Sequence, residues 1–229
     1  MGRIKGILFD FNGTLFFDTE YHFEAFGSFY PRYGLTAPDR DYMINKLFGR
    51  SNDDLFPDQF KPDATKEDID RFTEEKEHMY MEMCYKNPER LHLVEGAAEL
   101  LDYLKENNIP FCMATGSPLV NVNFYFEALG IGRWFTFDNI VYCDGSFAGK
   151  PAPDIYRLAA ERIGLDTSEC AVFEDGTSGI LSANSAGIGK VVALYQEDLP
   201  SPITDKTHVD GVCHDLKDWK NILSSIGVI

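Results

Sequence analysis

The sequence is short of positive charge: 37 acidic residues stand against 21 basic ones, a formal net charge of −16. That balance repels a nucleic-acid backbone or an anionic membrane face, so neither is an expected partner. It also sets a condition on any anionic substrate. The site must then supply positive charge locally, from a metal, a lysine or helix N-termini. Cysteine is sparse too. The five (Cys84, Cys112, Cys143, Cys170 and Cys213) are odd in number and contain no C-x-x-C pair. This points to reduced thiols and a cytoplasmic setting rather than a disulfide framework. Long apolar runs are missing. The segment MGRIKGILFDFNG is too short for a signal h-region and is interrupted by Asp10, and no stretch approaches a membrane span. Gly2 fails the myristoylation pattern, because Gly6 stands where that pattern needs Ser or Thr. Repeats and low-complexity segments are absent as well.

What is present is the profile of a soluble globular chain, with 44% hydrophobic and 25% charged residues. Its 229 residues allow a core domain plus a small accessory one. Ile7–Phe11 is an apolar run broken by Asp10 and followed by Asn12-Gly13-Thr14, which predicts a buried strand ending in a polar turn. From about Asp18 to Pro88 the texture changes: aromatic residues are dense (Tyr21, Phe23, Phe26, Phe29, Tyr30, Tyr33) and the patterns are helical. Thr36-Ala37-Pro38-Asp39 has the form of a capping box opening a helix toward Leu47, and Lys66–Lys86 predicts a long charged helix. This block is expected to be a helical insert.

After Glu95 strands and helices alternate. Strands are expected at Ile109–Ala114, Asn139–Tyr142, Ala171–Phe173 and Lys190–Leu194. Helices are expected at Gly96–Asn107, beyond Ser117 toward Gly130, and at Ala152–Gly164, Ser178–Ala186 and Asp215–Ile226. The alternation predicts an α/β fold, a doubly wound parallel sheet with helices on both faces. Ligands of such sheets bind outside the carboxyl ends of the strands. Asp10, Thr115 and Glu174-Asp175 each close a predicted strand, so they are expected to converge.

Four segments in order, Asp10-Phe11-Asn12-Gly13-Thr14, Thr115, Lys150 and Glu174-Asp175, resemble the motif set of the haloacid dehalogenase (HAD) superfamily. The resemblance covers nearly the whole chain. With its helical insert directly after the first motif, the chain looks most like the β-phosphoglucomutase and sugar-phosphate phosphatase branch. The resemblance implies a Rossmann-like core formed by residues 1–16 and 91–229, and a helical cap formed by residues 17–90. It implies that Asp10 is a nucleophile forming an aspartyl-phosphate. Thr115, Gly116 and Ser117 would bind phosphate oxygens, and Lys150 would hold both nucleophile and phosphate. Glu174 and Asp175, with Asp10 and the main-chain carbonyl of Asn12, would hold Mg²⁺.

The chain departs from the family pattern in two places. Phosphatases and mutases of this kind carry aspartate two residues after the nucleophile, where this chain has Asn12. An amide donates a hydrogen bond but releases no proton at neutral pH, and general acid–base help is worth ~10²–10⁴ in rate. Four readings stand open: a slow or specialised phosphatase using good leaving groups or a cap residue, a phosphosugar-binding relative with little turnover, an engineered Asp→Asn change, and deamidation at Asn12-Gly13. The first is preferred, and Asn12→Asp is expected to raise turnover substantially. In the cap, the loop Leu47-Phe48-Gly49-Arg50-Ser51-Asn52 has arginine directly after the glycine, as in many phosphatases. The mutase position, three residues after the glycine, holds Asn52. This lowers the mutase reading. His22 and Arg50 are candidate substrate contacts. Phosphonate cleavage fits poorly, because Lys46 precedes Gly49 rather than following it, and dehalogenation needs no phosphate-and-magnesium set. The expected activity is magnesium-dependent hydrolysis of a small phosphorylated metabolite.

Overall fold

The computed structural model describes residues 3–48 and 50–229, with the backbone alone at Asn45. Six strands form one parallel sheet: β1 (Gly6–Phe9), β2 (Phe111–Thr115), β3 (Ile140–Tyr142), β4 (Cys170–Glu174), β5 (Lys190–Leu194) and β6 (Gly211–Cys213). Their spatial order is β3-β2-β1-β4-β5-β6. Every residue of β1 is buried, because helices cover both faces of the sheet and the strand must be apolar on both. Its side chains still alternate. Leu8 packs with Cys112, Val172 and Val191 on one face, while Ile7 and Phe9 pack with Met113, Phe173 and Val192 on the other.

Of the α-helices between β1 and β2 among the described residues, four belong to the insert: α1 (Thr19–Arg32), α2 (Arg40–Tyr42), α3 (Asn52–Gln59) and α4 (Lys66–Lys86). No strand occurs there among the described residues, as the aromatic, helically patterned sequence predicts. The helices lock together through aromatic rings, with Phe29, Phe56, Phe60 and Phe72 within 5.1–6.4 Å of one another by ring centroid. α4 begins at a capping box in which Thr65 and Asp68 satisfy each other's backbone N–H groups. The box expected at Thr36 does not form. Asp39 is the cap, accepting from the Tyr42 N–H at 2.8 Å, because Pro38 holds Ala37 out of the helical region. α2 then runs into a π-helical turn, Met43–Leu47.

The rest follows the alternation closely: α5 (Ala97–Glu106), α6 (Leu119–Leu129), α7 (Asp154–Arg162), α8 (Thr177–Ala186) and α9 (Trp219–Ser225). Two differences occur near the end. Strand β6 was not anticipated, since three residues on a sheet edge, with Val212 exposed, carry too little pattern. Helix α9 starts at Trp219 rather than Asp215, whose side chain instead accepts from the Lys217 N–H at 3.0 Å.

Candidate active site

Strands β1 and β4 are adjacent, and the strand order reverses beside them, which places a switch-point crevice at their carboxyl ends. Asp10 leaves β1 there, its N–H donating to the Phe173 carbonyl at 3.0 Å. The chain then turns tightly, with the Gly13 N–H reaching the Phe16 carbonyl at 2.7 Å. Gly13 has φ +80°, and a Cβ there would lie 2.0 Å from Asp175 Oδ2, so both backbone shape and close approach require glycine.

Lys150 joins the two strand ends. Its Nζ donates to Asp10 Oδ1 at 2.5 Å and to Glu174 Oε2 at 2.7 Å, with all three side chains buried. Tyr156 of α7 donates to the same Glu174 oxygen, and the Gly176 N–H donates to Oε1 at 3.0 Å. Carboxylate oxygens of Asp10, Glu174 and Asp175 come within 4.8 Å of one another. Burial, reinforced by the charge of Glu174, raises Asp10 to about 7 against the opposing pull of Lys150. Burial, Asp10 and Glu174 push Asp175 well above the carboxylate range. Burial alone would lower Lys150, but the two carboxylates outweigh it and raise the lysine. One ammonium therefore faces three crowded carboxylates. This all-oxygen, under-neutralised set fits a divalent cation, which would remove the mutual repulsion.

Asn12 is fully engaged. Its Nδ2 donates to Asp18 Oδ2 at 2.5 Å and to the Tyr125 hydroxyl at 2.8 Å, while its Oδ1 accepts from Ser117 Oγ at 2.8 Å and Thr115 Oγ1 at 3.3 Å. Thr115 is completely buried and turned onto Asn12, whereas Gly116 and Ser117 line the cavity above the sheet. That cavity measures about 500 Å³. Asp10, Lys150, Glu174 and Asp175 form its floor, and the insert supplies His22, Phe48, Arg50 and Lys76. Leu199 and Pro200, between β5 and β6, add an apolar wall.

The two insert candidates differ in what they have free. His22 stacks on Tyr80 at 4.2 Å between ring centroids, and its Nε2 lies 3.3 Å from Asp18 Oδ2. Arg50 is committed elsewhere, donating to Asp58 Oδ2 at 2.8 Å and to the carbonyls of Lys46 and Asp54. Gly49, before it, lies outside the described residues. Asn52, at the mutase arginine's place, donates to Glu77 at 3.2 Å.

Several site residues escaped the sequence reading. Asp18 occupies the N-cap position of α1 and reads as an ordinary cap, yet its side chain caps nothing and is buried against Asn12, His22 and Tyr80. Tyr125 and Tyr156 look like core aromatics until their hydroxyls are located. Lys76 and Glu77 sit in a highly charged helix and look solvated, but they form a buried pair 2.7 Å apart, and Glu77 also accepts from Asn121 at 2.8 Å. The only signal for Asp18 is its i, i+4 spacing to His22.

Sheet, insert and acid-floored cavity together define a doubly wound α/β enzyme. The chain belongs to the haloacid dehalogenase-like hydrolases, whose family model matches residues 4–187. It is 26% identical to a phosphorylated carbohydrates phosphatase of Thermotoga maritima, over 97% of this chain and 91% of that one. It is 28% identical to hexitol phosphatase A of Escherichia coli, over 94% and 93% of the two chains. Among solved structures, a HAD hydrolase of family IA, variant 3, from Entamoeba histolytica superposes with a TM-score of 0.82 at 34% identity, covering 97% and 99% of the chains.

Proposed function

We propose that this protein is a magnesium-dependent phosphatase of small phosphorylated metabolites, sugar phosphates foremost, acting through a phosphoaspartate on Asp10. The observation that carries this reading is the 2.5 Å contact between Lys150 and Asp10 at the centre of the converging Asp10, Glu174 and Asp175 carboxylates. Lys150 fixes one Asp10 oxygen and neutralises part of the charge that an incoming phosphoryl group brings. Asp10, Glu174, Asp175 and the Asn12 carbonyl would hold Mg²⁺, which supplies charge neutralisation at phosphorus. Asp10 attacks the phosphorus in line with the leaving oxygen, and Ser117 with the backbone around Gly116 cradles the phosphate oxygens. Residues 17–90 act as a cap that shields the reaction from water. The names of the Thermotoga and Escherichia relatives support a phosphorylated carbohydrate as substrate.

A mutase must grip a bisphosphate at both ends. Arg50 is spent on Asp58 and Asn52 on Glu77, which supports hydrolysis over mutation of phosphate position. The full engagement of Asn12 favours one competing reading, a binding protein with little turnover. Phosphate release from a panel of sugar phosphates, with Mg²⁺ and then with chelator, tests the proposal. Sustained, Mg²⁺-dependent release that Asp10→Asn abolishes is expected. A single burst with a stalled phospho-Asp10, or tight binding without release, would replace it with the binding reading.

A further inference from the structure

The geometry points to His22, held by Asp18, as the acid–base group for the leaving oxygen, in place of the carboxyl that Asn12 lacks. This inference rests on the phosphatase reading above and adds a proton path to it. Asp18 Oδ2 accepts from Asn12 Nδ2 at 2.5 Å, from the Tyr80 hydroxyl at 2.6 Å, and lies 3.3 Å from His22 Nε2. The imidazole therefore stands one carboxylate oxygen away from the side chain whose position normally serves proton transfer. His22 also lines the same cavity as Asp10. Asn12 cannot take the role itself, because all its hydrogen-bonding capacity toward Asp18, Tyr125, Ser117 and Thr115 is in use.

Asp18 is nearly inaccessible, and its second oxygen, Oδ1, has no hydrogen-bond partner among the described residues. A buried carboxylate against one ring nitrogen fixes the tautomer and the orientation of the ring, as in other carboxylate–histidine pairs. With Nε2–H directed at Asp18, Nδ1 carries the transferable proton, and it bonds to no other described residue. Stacking on Tyr80 sets the plane of the ring. The charged and titratable groups around His22 are Asp18 before α1, and Tyr80 and the Lys76–Glu77 pair on α4. Phe48 packs from the loop beyond α2.

The step balances. In the first half, Asp10 Oδ bonds to phosphorus, the bond from phosphorus to the ester oxygen breaks, and the Nδ1 proton of His22 passes to that oxygen to release an alcohol. In the second half, water attacks the phosphoaspartate and gives its proton to Nδ1. The bond from phosphorus to Asp10 breaks, inorganic phosphate leaves, and the imidazolium is restored.

The experiment is a leaving-group series run with Mg²⁺, from an aryl phosphate with an acidic phenol to an alkyl phosphate such as a sugar phosphate. It is run on the native protein, His22→Gln and Asp18→Asn. An alcohol needs the proton and an acidic phenol does not, so His22→Gln should slow the alkyl ester by about 10²-fold or more and the aryl ester by less than about 10-fold. Asp18→Asn should show the same pattern more weakly. Equal losses on both esters would make His22 a substrate contact only and overturn the inference, as would no loss on either. If the variants fail to fold, the native series decides: a shallow dependence on leaving-group acidity supports the proton transfer, and a steep one overturns it. Failure of the native protein to release phosphate from any ester would instead remove the phosphatase reading itself, and this inference with it.

Discussion

The side-chain amide of Asn12 donates to the Asp18 carboxylate across 2.5 Å, so position 12 is built around an amide rather than a carboxylate. An aspartate there would set two carboxyl groups at hydrogen-bonding distance, and only one of them could ionise readily. A carboxyl whose folded pKa is raised keeps its stability at low pH and loses it as pH rises through that raised value. Asn12→Asp is therefore expected to melt with the native protein under acid conditions and below it under alkaline ones. The same change should raise alkyl-ester turnover less than about 10-fold in the native background and more in His22→Gln, where the imidazole is gone. Thermal melts across pH and steady-state rates of the single and double variants check both.

Lys150 is the cation between Asp10 and Glu174, and removing one partner from a buried ion pair leaves charge uncompensated. Lys150→Met is expected to destabilise the fold by about 3–5 kcal/mol and to lower phosphatase rate by at least about 10²-fold. Urea denaturation and phosphate release measure the two effects separately. Mg²⁺ should recover part of the stability, because it relieves the same repulsion.

Metal binding should depend on pH in a defined direction. Asp10 is raised to about 7 by burial and by Glu174, so in the metal-free protein its ionised form is disfavoured by folding. Its contribution is fully favourable below the ordinary carboxylate range and is lost as pH climbs toward about 7. Metal-free protein is thus expected to be more stable near pH 5 than near pH 8, with Mg²⁺ reversing the order. Calorimetric titration in buffers of different ionisation heat should show proton release on Mg²⁺ binding, and weaker binding as pH falls below about 7.

Gly179 separates local from tertiary effects. It lies inside α8, where glycine to alanine ordinarily stabilises a helix by about 1 kcal/mol. A Cβ at this position would fall 2.0 Å from the Glu174 carboxyl carbon and from its Oε2. Gly179→Ala is expected to lose activity by displacing Glu174 from Lys150 and Tyr156, whatever it does to helix propensity. Phosphate release and Mg²⁺ affinity, measured beside the melting temperature, distinguish the two.

Much of this molecule is legible along the chain because local chemistry is short-ranged. The β5 boundaries, Lys190–Leu194, and the 21-residue helix α4 follow from an apolar run and a long charged amphipathic pattern. The acidic strand ends at Asp10 and Glu174 announce a ligand site because carboxylates rarely close buried strands without a partner. The failures are equally local in origin. Thr36 lost the cap to Asp39 because Pro38 intervenes, and β6 was too short and too exposed to show a period.

The sequence alone determined the parallel α/β core and the helical insert, since each rests on residue type and spacing within a few positions, while the carboxylate, lysine and hydroxyl set was implied by the family resemblance of four segments in order. Only tertiary structure decided what those residues face. Burial turned Asp18 from a helix cap into a shared partner of Asn12 and His22, an exposed ion pair set Arg50 against Asp58, and the converging strand ends put Lys150 among three carboxylates. The physical reason is that hydrogen bonds and charge interactions act through space over a few ångströms. Residues 10, 18, 125 and 150 become neighbours only when the sheet and insert close around them.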